Sequence, residues 1–167
     1  ANVFIDPETT EKMETHDLFP EDFIVALPTP SNYIGPTRIF PKDAEFHSQL
    51  VYITDAGREE EDGYSFYFKH KKDWKGKLPE SMTDAIYAFY LANAIRDLRG
   101  DQREHRSMLI NISRFVKVQK YIKEVVERIH AEAYRSLKYN LCSDFELSMK
   151  DPVLNRIYKV WQSQYEK

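Results

Sequence analysis

HRSMLINISRF, residues 105–115, decides how the chain is read. Residues 108–112 are apolar apart from Asn111, which predicts a short buried strand. The run then meets Ser113 and Arg114 and passes into a helical pattern. In open α/β sheets, ligands bind beyond the carboxyl ends of such strands. That would bring Asn111, Ser113 and Arg114 to a binding edge. Ser113 is placed to cap the helix, leaving helix-start N–H groups open to an anion. Arg114 is placed to reach a phosphate. The residues support equally a plainer arrangement, a capped corner with an arginine in solvent.

Working outward, the helix after Arg114 should run to about residue 139. Its apolar stripe is Phe115, Val118, Ile122, Val125, Val126, Ile129, Ala133 and Leu137, three and four residues apart. Residues 140–144 break it, and one or two further helices follow, with Pro152 suited to a first turn. Upstream, residues 80–98 predict a second strong helix carrying Ile86, Phe89, Tyr90, Ala94 and Leu98. It starts near Pro79 or Ser81, and Gly100 lies just past its end. LVYITDAG, residues 50–57, reads as a strand closed by Asp-Ala-Gly, and YSFYF, residues 64–68, as a partner across an acidic turn. Residues 23–27 form another candidate strand. Pro28, Pro30, Gly35, Pro36 and Pro41 then enforce an ordered, aromatic loop. The expected fold is α+β and helix-rich, a small sheet with a long helix after the central strand. An extended connector and aromatic loop would occupy residues 1–45, and a helix-rich α/β domain residues 46–167.

Composition narrows the function. At 167 residues the chain suits a single domain. A net charge of -3 excludes a uniformly basic nucleic-acid-binding surface, though not local basic patches. One cysteine, Cys142, excludes an intramolecular disulfide and argues against a cysteine zinc site, which fits a reducing cytoplasm. Cys142 should be a packed thiol. No apolar run approaches about 20 residues, so no membrane partner is expected. The chain opens on ANVFID, without a methionine, and reads as a fragment of a larger protein.

Catalytic patterns are missing. There is no G-x-x-x-x-G-K-[ST] loop, no G-x-G-x-x-G, no G-x-S-x-G and no H-E-x-x-H. The five histidines show no metal-ligand spacing. Asp55 with Asp73-Trp74-Lys75 sketches a D…D-x-K metal site, but a solvated turn is the stronger reading. No catalytic residue, metal ligand or cofactor is therefore expected in this chain. The basic run at residues 69–77 has the composition of a phosphate-contacting loop. Lys71, Lys72 and Lys75 would supply charge and Trp74 a face to stack on a base. Most such runs are solvated loops.

HRSMLINISRFVKVQ, preceded by LPESMTDAIYAFYLANAIRDLRG, closely resembles the Z-one domain. DLFPEDFIVALPTPSNYIGPTRIF resembles the segment before it in the same proteins, so the likeness spans residues 1–130. The family implies a large bacterial protein described as a candidate endonuclease, with a superfamily-two helicase-like ATPase region, beside restriction and modification genes. By that resemblance MLINISRF would open a RecA-like second lobe. Ser113 and Arg114 would be phosphate contacts, with Asn111 and Gln119 behind them. ATP and Mg²⁺ would belong to the parent protein only. The partners would be DNA and an N-terminal ATPase lobe missing from this chain. The chain itself would give DNA contact and an inter-lobe connection. The alternative is a protein–protein interaction module for a restriction or repair complex. In either case Tyr33 and Phe40, if exposed, would favour self-association.

Overall fold

The computed structural model describes residues 30–57 and 64–166. The chain divides into two compact units, Ala1–Val51 and Tyr52–Lys167. The candidate strand at 23–27 and the acidic turn at 58–63 lie outside the described residues.

In the first unit, a one-turn helix α1 (Pro36–Ile39) starts at a proline whose missing N–H costs nothing in a first turn. Arg38 fastens the segment behind it. Its Nε donates to Glu45 at 3.1 Å and its guanidinium lies 5.0 Å from the Phe46 ring centre. A 3₁₀ turn, His47–Gln49, follows. Tyr33 and Phe40 are exposed.

The second unit is built on helices. α2 (Glu80–Leu98) contains neither glycine nor proline and stops before Gly100, whose φ of +86° suits a helix terminator. Pro79 sits at its N-cap and has no side-chain oxygen to offer. Asp55 supplies the cap from a distance, accepting from the Ser81 N–H at 2.8 Å and the Ser81 hydroxyl at 2.7 Å. α3 (Val116–Asn140) buries Val118, Ile122 and Ala133, members of the stripe legible in sequence. α4 (Phe145–Ser148) and α5 (Pro152–Gln164) are capped by their own preceding aspartates, Asp144 and Asp151. Arg156 of α5 reaches α2, donating from Nε to Asp84 at 2.7 Å and pairing with Glu80. Two cores result. Phe66, Tyr67, Trp74 and Leu78 pack on Val118 and Ile122 of α3, while Tyr87, Ala133 and Val160 join α2, α3 and α5.

The expected small sheet is not there. Among the described residues no strand forms, and the only β pairings are isolated bridges, Gly57 with Tyr67 and Ser65 with Lys77. The α+β assignment therefore gives way to a helical unit with long ordered loops. Residues 51–53 take no regular secondary structure and lie in solvent, with Tyr52 75% exposed. No hairpin joins them to residues 64–68, because the bridge between Gly57 and Tyr67 is of the parallel kind. Residues 108–112 take no regular secondary structure, with no backbone hydrogen bond among the described residues. The physical reason is local. Ile110 and Ile112 find burial beside the core that α3 anchors, so the apolar pattern is satisfied by a helix without a neighbouring strand. Cys142 is exposed, not packed. Among the described residues no helix is long and apolar enough to cross a membrane.

Candidate nucleic-acid interface

Two sequence-distant segments meet at the start of α3, namely the basic loop at 69–77 and the corner at 113–115. The first tie is a buried hydrogen bond, Ser113 Oγ to His70 Nε2 at 2.8 Å. Both residues are 7% exposed. His70 Nδ1 faces the Phe68 carbonyl at 3.5 Å, and a carbonyl can only accept. A neutral ring therefore carries its proton on Nδ1, and Ser113 donates to Nε2. The Ser113 oxygen in turn accepts from the Phe115 N–H at 3.0 Å. The rings of Phe66, Trp74 and Phe115 enclose the imidazole, with centroids 5.2, 6.2 and 5.7 Å away.

The second tie is the Tyr121 hydroxyl, which donates to the Gly76 carbonyl at 2.8 Å. Gly76 permits that close approach. A Cβ there would lie 1.8 Å from the Tyr64 carbonyl oxygen, so no other residue fits without moving backbone.

The ties set a row of cations along one surface. A cleft of about 420 Å³ is lined by Lys75, Lys117 and Lys120 with Trp74, Tyr121, Asp73 and Glu124. Lys75 Nζ lies 6.0 Å from the Tyr121 ring centre. Beside the cleft, α3 has Phe115 at its N-cap, with no side-chain cap and no acidic residue in its first turn. Its N–H groups and positive dipole end are therefore not neutralised by a neighbouring side chain. Arg114 is exposed there, its guanidinium 4.9 Å from the Phe115 ring centre.

The residues singled out in sequence fall into distinct places. Arg114, Lys72 and Lys75 are exposed, as is Lys71, which is also engaged with other groups of the chain. Ser113 is buried and committed to His70 and Phe115. Gln119 donates to the Ser113 carbonyl at 2.7 Å, so it braces the corner. Asn111 is exposed, in the stretch before the corner that has no regular secondary structure. Trp74 is 6% exposed and packs edge-on against Phe66 and Tyr121. Asp55 caps α2 at Ser81, and no group of three metal-type ligands occurs among the described residues. Reading the sequence placed His70 in the basic run but missed its bond to Ser113, and it missed Gly76, Tyr121, Lys117 and Lys120 altogether. Lys117, Lys120 and Glu124 form a three-and-four spaced polar stripe with Tyr121, which was a usable signal.

The model of the Z1 domain, the family resembled above, matches residues 81–167, more than half of the chain. The chain belongs to the Z1 domain family. The match takes in α2 from Ser81 onward, α3 to α5 and the whole corner; it runs beyond residue 130 and leaves the resembling segment at residues 17–40 outside it. The basic loop lies before the matched Z1 residues, so the cleft joins family and flanking sequence. No curated protein and no solved structure matches the chain.

Proposed function

We propose that this Z1 domain chain is a non-catalytic DNA-contacting part of a larger, helicase-like protein of the restriction type. ATP- and Mg²⁺-dependent chemistry would be supplied by other parts of that protein. The observation that carries the proposal is that Lys75, Lys117 and Lys120 line one cleft on α3, whose uncapped start follows the exposed Arg114 in sequence. Lysine and arginine paired with phosphates release counterions, and helix-start N–H groups can take a phosphate oxygen. Trp74 serves here as the anchor of the loop and leaves the contact to the cations. Contact of this kind follows the backbone and carries no base readout.

The test is fluorescence anisotropy with duplex DNA at several salt concentrations. Affinity should fall with salt at a log–log slope of about -3 to -4 for four phosphate contacts. Lys117→Ala with Lys120→Ala should reduce that slope by about 2 while the helical signal stays unchanged. Salt-independent binding, or none, would overturn the proposal.

A second reading, an interaction module for a protein complex, is favoured by the apolar side chains left in solvent. Leu98 is 90% and Leu109 88% exposed.

A further inference from the structure

Tyr87 carries a buried ring and an unpaired hydroxyl. It sits in the core that joins α2, α3 and α5 and is 3% exposed. The less buried Tyr90, Tyr121 and Tyr165 all find hydroxyl partners, the His130 ring and the Gly76 and Ala88 carbonyls. The Tyr87 hydroxyl has none among the described residues. A buried tyrosine hydroxyl ordinarily does have a partner, so this one points to a bond made with something else.

Tyr87 lines a cleft of about 430 Å³ between α2, α3 and the start of α5. That volume is in the range of small-ligand sites. Burial pushes the Tyr87 phenol up, while Arg156 pulls it down and Glu132 pushes it up again. Both residues line the same cleft, so the hydroxyl lies within electrostatic reach of it. Arg156 is already committed to Asp84 and Glu80. Leu78, Val125, Ile129 and Val153 make apolar walls, and Tyr64 and Tyr121 add aromatic rings. Arg128 and Glu132 also line the cleft and are exposed, one a donor and one an acceptor. Apolar and aromatic walls with a few donors and acceptors suit a nucleobase, which is flat and carries both kinds of group along its edge. A hydrocarbon would leave the hydroxyl unpaired.

Position selects a base that is part of a strand. Tyr121 lines both this cleft and the cationic one. Lys120 of the cationic cleft and Val125 of this one are about 7.5 Å apart along the axis of α3. A phosphate at the one and a base at the other can therefore belong to one nucleotide. We propose that this cleft takes an unpaired base of the DNA strand whose phosphates lie along Lys75, Lys117 and Lys120, with the Tyr87 hydroxyl bonding its edge. A base paired inside a duplex is out of reach, so the site favours a strand in which a base is already free. The inference rests on the DNA contact proposed above.

The test uses the 167-residue chain and two duplexes of equal length containing one 2-aminopurine, either paired with thymine or opposite an abasic site. Anisotropy at one salt concentration should show about tenfold tighter binding to the unpaired duplex, and the bound 2-aminopurine should be shielded from acrylamide quenching. Tyr87→Phe should weaken binding to the unpaired duplex about three- to tenfold, the loss of one hydrogen bond, and reduce the shielding. Its affinity for the paired duplex and its urea unfolding should stay as in the parent chain, since the hydroxyl has no bond inside the protein to lose. Equal, salt-dependent binding of the two duplexes overturns this inference and leaves the DNA contact standing, whereas no binding of either overturns both. A preference that survives Tyr87→Phe would place the base elsewhere and also overturns it. So does a clear loss of stability in Tyr87→Phe, which would reveal an internal partner for the hydroxyl.

Discussion

Two neighbouring stretches of this Z1 domain, residues 108–112 and 113–121, make opposite use of the same core. In the second, polar groups are spent inside the chain. Ser113 serves both His70 and Phe115, Gln119 holds the Ser113 carbonyl, and Tyr121 holds Gly76. In the first, the inner side chains are anchored but the backbone is bonded to nothing described. Burial of side chains and satisfaction of backbone groups are thus separable, although a true strand achieves both. The closed stretch fixes a surface, and the open one leaves its backbone groups without a partner among the described residues.

The largest effect expected from breaking this comparison comes from Trp74 set against Leu109. Trp74→Ala removes a ring packed on Phe66, His70 and Tyr121 and should cost about 3–5 kcal/mol in urea unfolding. Leu109→Ala, on the open stretch, should stay within about 0.5 kcal/mol in dilute solution. Equal costs would mean that residues 108–112 are packed in a way the fold does not contain.

An intermediate effect is expected at the clasp. Ser113→Ala leaves the buried His70 Nε2 without its partner and should cost about 1–3 kcal/mol. It should also weaken DNA binding, because the lysines of loop and helix would no longer be held together. If DNA affinity is unchanged at full folding, the clasp does not organise the cationic row.

The smallest effect concerns pH. Burial raises the Asp55 carboxyl, but the hydrogen bonds from the Ser81 side chain and backbone outweigh it and hold Asp55 below the usual aspartate value. Glu80 is lowered likewise, by hydrogen bonds from Lys77 and Arg156. The stability these groups add is present above the usual carboxylate range and is lost as pH falls through their lowered values. Asp55→Asn should flatten the acid side of the stability profile and cost no more than about 1 kcal/mol near neutral pH, as for an exposed cap. An unchanged acid limb would remove Asp55 from its capping role.

Much of the helical framework was legible in sequence because its signals are local. The stripe from Val118 to Ala133, Gly100 after α2 and Pro152 at the start of α5 each act within a turn or two. The sheet was misjudged for the same reason. Alternating apolar residues at 108–112 state which side chains want burial, and they cannot state whether a helix or a strand provides it. Half of the cleft was visible as a basic run. The other half was not, since Lys117 and Lys120 look like the solvated face of any amphipathic helix.

By itself, then, the sequence determined the long helices, their ends, the lack of phosphate-loop and zinc-protease patterns and the family. Periodicity, capping and motif spacing are properties of contiguous residues. Only the tertiary structure decided that His70 meets Ser113 across the chain, that Trp74 turns inward, and that Asp55 caps α2 at Ser81, 26 residues away in sequence. Those outcomes depend on which distant groups can satisfy one another once water is excluded, and no local pattern encodes that choice.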